Sequence, residues 1–407
     1  MYNRKQTRET ALEWTALALF LFFPFVGYLP HPTMLLTAIV LALQGQLLWR
    51  CGRGKQRIDC DPIDLGIALL SVAFIVSGLL TGGTAIFEGA VRAVLLSAYF
   101  PTAVLWRQSE WQKRGAWILQ ISGGIAAFLG ILQYFLGKAQ LKWVDTARFA
   151  DIGGRVTGGF ENPNVFSVYL LTVIPFSLVA IFWERASYAP RLVSLVCLLA
   201  ELLCLILTWS RGAWLGAMLV IFVFFLTFNR KTRRLLAVGF LPMLAASCFL
   251  PHNIINRFLS IGNLNESSIR YRLLTWQGVW SMICEHPFGV GLGYEAFSRQ
   301  YLPHAVKGTE TVIHTHQILL QILCELGILG LILFLGALFM VFQAVIRNRR
   351  LLHPIGMAGA LALLGVLAAG LFDNVWYHHG VFCLFWIVTA LAAKSATEVE
   401  ERREKDF

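Results

Sequence analysis

Two arginines and a histidine, each placed beside a long apolar run, are the residues of this sequence best suited to chemistry. Arg211 stands in ILTWSRGAWLGAML. A charged side chain costs about 3 kcal/mol at a bilayer centre on insertion scales, and less toward the surface. One role that offsets the cost is interfacial: the guanidinium reaches up to lipid headgroups. The other is chemical. An arginine at a helix start, next to free backbone amides, is a receptor for phosphate. Arg272 lies in NESSIRYRLLTWQGVWSMICEHPFGVGLGYEAF, residues 265–297. Ser267 or Ser268 is expected to cap a helix running to about Glu285. At helical spacing Ile269, Leu273, Trp276, Trp280 and Ile283 share its apolar face. Arg272 falls on the edge of that face and Arg270 on the polar side. A half-buried arginine needs an anion, either a structural carboxylate or a substrate.

His314 and His316 lie in TVIHTHQILLQILCELG, where the chain re-enters a long apolar run. Imidazole is the side chain that moves protons near neutral pH. A metal pair competes with that reading, but the neighbouring sequence offers few acidic or sulfur ligands, so no metal and no cofactor are expected. Glu325 follows His316 at about 13 Å along a helix, too deep to orient its ring directly. Arg155, in GGRVTGGFENPNVFSVYLL, precedes a glycine cluster and then Asn162, Pro163 and Asn164. Asn before Pro is ordinary helix-start chemistry. Exposed amides there could also face an anionic or sugar ligand, so Arg155, Asn162, Asn164, His314 and Arg270 are candidate substrate contacts. The run PFGVGLG is only loosely like a phosphate loop.

The elements that must hold these groups are membrane helices. The chain of 407 residues is 57% hydrophobic and 14% charged, which excludes a soluble domain of this length. The net charge of +11 does not indicate nucleic acid, because the basic residues cluster between apolar runs as topology signals do. We read about twelve spans, near 12–29, 33–49, 63–81, 85–106, 115–136, 164–183, 191–209, 211–228, 235–252, 317–345, 354–371 and 379–394. The basic clusters RCGRGKQR, RQSEWQKR, WERASYAPR, NRKTRR and RNRR follow even-numbered spans. Both termini are therefore expected in the cytoplasm. Residues 1–407 form one membrane domain, with a large outward loop, 253–316, between spans nine and ten. Neither a cleavable leader nor a disulfide framework is expected. The outward side then collects Arg211, Arg272 and a histidine, with Arg155 in reserve. Two guanidinium groups suit a diphosphate and a neutral imidazole suits a hydroxyl proton. These parts serve transfer of a sugar from a lipid diphosphate. A carrier is the rival reading, with Glu88, Arg92, Glu201 and Glu325 as its mid-span charges.

The pieces NPNVFSVYLL, SRGAWLGA, RLLTWQGVWSMICEHPFGVGLGYEAF, HTHQILLQILCELGILG and LFDNVWYHHGVFCLFWIV occur in one order. With the twelve-span plan, that order resembles the O-antigen ligase and O-antigen polymerase superfamily. The resemblance implies an all-α, GT-C-type, metal-independent glycosyltransferase of the bacterial inner membrane. It implies an undecaprenyl-diphosphate-linked glycan donor, an acceptor such as lipid A-core, and a periplasmic active site. A growing glycan or a protein as acceptor would make the same machinery a polymerase or an oligosaccharyltransferase. By resemblance Arg211 and Arg272 hold the diphosphate and His316 activates the acceptor hydroxyl. Gln317 stands where the family commonly has Asn, which leaves His314 as the other candidate base.

Overall fold

The computed structural model describes residues 11–54, 56, 60–137, 154–183, 188–247, 252–264, 266–348 and 354–405, with the side chains of 109, 240–247, 253 and 396–405 left aside. Among them the regular structure is all helix. The order is α1 (Ala11–Phe22, continued by a 3-10 segment to Tyr28), α2 (Pro32–Gly52), α3 (Pro62–Thr81), α4 (Thr84–Ser97) and α5 (Tyr99–Trp106). Then come α6 (Ser109–Phe135), α7 (Pro163–Phe182), α8 (Tyr188–Leu207), α9 (Arg211–Thr227), α10 (Arg230–Ser247) and α11 (His252–Leu259). The chain continues with α12 (Ser267–Glu285), α13 (Tyr294–Tyr301), α14 (Ile318–Asn348), α15 (Pro354–Gly370) and α16 (His379–Lys405).

A helix stands at each expected span. Eight segments are long and apolar enough to cross a membrane, and Arg211–Thr227, Pro354–Gly370 and His379–Ser395 are shorter apolar helices. The protein is thus a multi-pass, all-helical membrane protein. Helix α7 is its axis. Asn162 caps it by accepting from the Asn164 amide at 2.8 Å, and Pro163 opens its first turn. Nearly every side chain of α7 is buried, against α6, α8 and α15. Helix pairs approach closely where they carry glycine. A Cβ on Gly78 would sit 2.6 Å from the Ala85 carbonyl oxygen, and one on Gly89 would sit 2.6 Å from that of Phe74. This fixes α3 against α4, as small residues do in membrane bundles.

Two sets of buried charges are paired between helices. Arg92 on α4 binds Glu88 at 2.7 Å and Glu325 on α14 at 2.8 Å. Lys394 on α16 binds Asp64 at 2.6 Å and Asp61 at 2.8 Å, and the Tyr99 hydroxyl donates to Asp64. Removing one partner of such a pair costs about 3–5 kcal/mol, so these pairs lock helix to helix.

The region between α10 and α14 departs from expectation in two ways. Glu266 caps α12, accepting from the Ile269 amide at 3.0 Å, whereas Ser268 donates its hydroxyl to that carboxylate. The buried face of α12 is Thr275, Gly278, Val279, Met282 and Ile283, while Leu273 and Trp280 are exposed. The physical reason is the partner. Helix α12 packs on α13, on the 302–304 turn and on α14, and Gly278 lets the His304 carbonyl approach. The sequence pattern marks apolar positions but not whether protein or lipid covers them. The glycine-rich run PFGVGLG has a structural use. Gly289, Gly291 and Gly293 all have positive φ, and the run docks into a break in α14 at Gly327 (φ 68°). There Val290 donates to the Cys324 carbonyl and Ile328 to that of Pro287.

Candidate active site

Four segments converge at one end of α7: the turn before it, the α8–α9 turn, the α12 region, and the 314–317 turn with the 371–378 loop. The turns are tight. Glu161, Trp209 and His316 have φ of 58°, 53° and 54°, three of the four non-glycine residues with positive φ among those described. Left-handed backbone is costly for such side chains, and it gathers where a structure imposes geometry for function.

Asp373 is the hub. Its Oδ1 lies 3.1 Å from His316 Nδ1, and its Oδ2 lies 3.7 Å from Arg272 Nη2. Asn164 donates its side-chain amide to Oδ2, and the Asn374 backbone amide donates to Oδ1 at 3.0 Å. Arg155 donates to Asn164 Oδ1 at 2.8 Å and to the Thr208 carbonyl at 2.6 Å. Burial alone would raise the Asp373 carboxyl, but the His316 hydrogen bond and the Arg272 charge outweigh it and hold it well below the usual carboxylate range. Burial, with the nearby charges of Arg257, Arg272 and Arg211, lowers Arg155 to about 9.

The two histidines differ. His314 Nδ1 accepts from the His316 backbone amide at 3.2 Å, and its ring packs on Tyr377 with centroids 5.3 Å apart. Burial and the neighbouring His316 lower His314 to about 3. A group so acidic is a weak base at neutral pH. His316 instead has a carboxylate on Nδ1, which favours the tautomer with Nε2 free to take a proton. Its turn is braced from below. Thr315 donates its amide to Gln321 Oε1 at 2.9 Å and accepts from Trp276 Nε1 at 2.8 Å. Gln321 in turn donates to Glu325 at 3.0 Å. Glu325 therefore reaches the histidine turn through one amide, though it is too deep to touch the ring.

Arg211, 9% exposed, has protein partners on both terminal nitrogens. It binds Glu266 at 2.8 Å, Ser268 Oγ at 2.8 Å and Ser260 Oγ at 2.9 Å. The carboxylate that caps α12 is thus the one that ties α12 to α9. Burial would raise Glu266, but the Arg211 hydrogen bond lowers it. Asn162 joins the site through Tyr377, donating to its hydroxyl at 2.7 Å. Arg270 is exposed on α12, outside the network. So the structure joins Arg155, Asn162, Asn164, Arg272, His314 and His316, sets Arg211 on the adjoining ion pair, and leaves Arg270 apart. Sequence reasoning missed Asp373, Glu266 and Tyr377. The signal for Asp373 was a lone acid in FDNVWYHHG, between two apolar helices as Arg211 is.

Ligand atoms of His314, His316 and Asp373 lie within 4.8 Å of one another and could hold a divalent ion. Arg272 shares that carboxylate, and a guanidinium there opposes a second cation.

These features define a class: a polytopic helical membrane protein with an aspartate–histidine pair and an arginine cluster where its helices end. Residues 192–335 match the family model described as O-antigen ligase. The resemblance read from the motifs is borne out over that stretch, which includes Arg211, Arg272, His314 and His316. No curated protein matches the chain. The family match supports a ligase- or polymerase-type enzyme.

Proposed function

We propose that this protein transfers a glycan from undecaprenyl diphosphate to an acceptor hydroxyl, with lipid A-core as the acceptor class, at the periplasmic face of a bacterial inner membrane. The observation that carries the reading is that one partly buried carboxylate, Asp373, holds both His316 and Arg272. A proton acceptor and a fixed cation then face the same reacting centre. His316 Nε2 takes the hydroxyl proton as the acceptor oxygen bonds to the anomeric carbon. The bond from that carbon to the diphosphate oxygen breaks, and its electron pair leaves with the diphosphate. Arg272 stabilises that developing charge, with Arg155 and Arg257 adding to the field. Arg211 acts one step back: through Glu266 it sets the start of α12, and so the place of Arg272. No metal takes part. Both termini lie in the cytoplasm on this reading, with about twelve spans in a GT-C-type arrangement.

The test is a purified, reconstituted enzyme given a lipid-diphosphate-linked glycan and, separately, lipid A-core, glycan and protein acceptors. Transfer to lipid A-core that EDTA leaves unchanged is expected. A requirement for a divalent ion would return the His314, His316 and Asp373 trio to metal binding. Transfer to glycan alone would make the enzyme a polymerase, and transfer to none of the three would refute the proposal.

A further inference from the structure

A cavity of about 750 Å³ opens beside the histidines, between α4, α13 and the 371–378 loop. Its wall includes His314 and Tyr377 but not Arg211, so it adjoins the histidine side of the site. Its chemistry is opposite to that of the arginine cluster. Four carboxylates line it, Glu88, Glu161, Glu295 and Glu325, against one guanidinium, Arg92. Aromatic rings complete the wall, among them Phe87, Phe160 and Tyr294. One buried polar group there lacks a partner among the described residues. Asn374, 2% exposed, uses its Oδ1 to accept from the Trp376 amide, while its Nδ2 donates to nothing. Unsatisfied buried donors and acceptors are uncommon, and those facing a cavity point to a ligand.

We propose that this cavity binds a sugar ring bearing no negative charge, either neutral or amino-substituted. The carboxylates accept from hydroxyl or ammonium groups, Asn374 Nδ2 donates to a ring oxygen or hydroxyl, and the aromatic wall covers the apolar face of the ring. A uronic acid or phosphorylated ring would set like charge against Glu161 and Glu295 at the mouth. The inference rests on the transferase reading for the source of the ring, which belongs either to the donor glycan or to the acceptor.

The test is saturation-transfer NMR on the full chain in nanodiscs, with methyl glucoside, methyl glucosaminide and methyl glucuronide as probes. The first two are expected to bind, and the glucuronide about tenfold more weakly, equivalent to about 1.4 kcal/mol. The Glu161→Gln, Glu295→Gln double variant should bring the glucuronide close to the glucoside. Equal binding of all three probes, binding of none, or a double variant identical to the wild type would overturn the proposal. Farnesyl-diphosphate-linked N-acetylglucosamine separates the sources: it displaces the methyl glycoside if the donor ring fills the cavity and leaves it in place if the acceptor ring does. Binding is read without turnover, so sugar signals from an enzyme inactive towards every acceptor would refute the transferase reading alone.

Discussion

His316 Nδ1 sits 3.1 Å from Asp373 Oδ1, across 57 residues of sequence. The imidazole is therefore oriented by a carboxylate from the loop before α16, on the far side of α14 and α15 in the chain. Asp373→Asn should lower kcat by about 10²-fold or more, the scale of general-base assistance, with little change in donor KM. The amide can still hydrogen bond, but it no longer favours the proton on Nδ1. Steady-state kinetics with donor and acceptor varied separately check this. A fall confined to KM would move Asp373 from proton chemistry to substrate binding.

Arg211 and Glu266 act as one unit. Glu266→Gln and Arg211→Lys should each lower turnover, and the double variant should lose less than the sum of the two, because each single change leaves a partly buried charge badly paired. A double-mutant cycle on kcat/KM measures the coupling. If the Glu266→Gln enzyme binds donor more tightly than the wild type, the carboxylate is a stand-in for the diphosphate, and Arg211 contacts the ligand itself.

Gln321 carries the link from the Arg92–Glu325 pair to the histidine turn. Gln321→Leu leaves the buried Thr315 amide unsatisfied, a cost of about 1–3 kcal/mol. We expect a lower kcat, unchanged donor KM, and intact folding by size-exclusion chromatography. Gln321→Glu, which keeps an acceptor at that place, should recover part of the rate. A Leu variant with full turnover would show that the turn holds His316 unaided.

His314 gives a pH signature. Its folded value is lowered from 6.5 to about 3, so between those limits the unfolded chain binds the extra proton. Stability must then fall as pH drops through 6.5 and level off near 3, by up to about 1.4 kcal/mol per pH unit. Asp373, held low, adds its own loss only in more acid solution, below the usual carboxylate range. His314→Asn should flatten the thermal-unfolding profile between pH 6.5 and 4.5. A parallel profile in the variant would remove His314 as the cause.

Much of the site could be read along the chain because charge beside hydrocarbon is conspicuous. Arg211, Arg272 and His316 all stood out that way, and so did the helices that hold them. Asp373 did not, because its meaning depends on partners 57 and 209 residues away, and no local pattern announces such a meeting. The ion pair on Arg211 was invisible for the same reason: Glu266 looks like an ordinary loop acid until α11 and α12 fold over α9. The face of α12 was misjudged because periodicity reports apolar positions, and both lipid and protein accept them. Glu325 was judged too far from the imidazole in a straight line, and it is; an intervening glutamine closes the gap.

The notch in α14 at Gly327 has a bearing on how α12 is held. The turn after α12 is pinned into that notch by two backbone hydrogen bonds, and the same helix begins just beyond His316. The C-terminal end of α12 and the imidazole turn are therefore riveted to one rod and travel together. At the opposite end of the helix the Glu266 carboxylate both caps α12 and binds Arg211 at the start of α9. Helix α12 is therefore clamped at each end to a different rod, and Arg272 is carried between the two clamps.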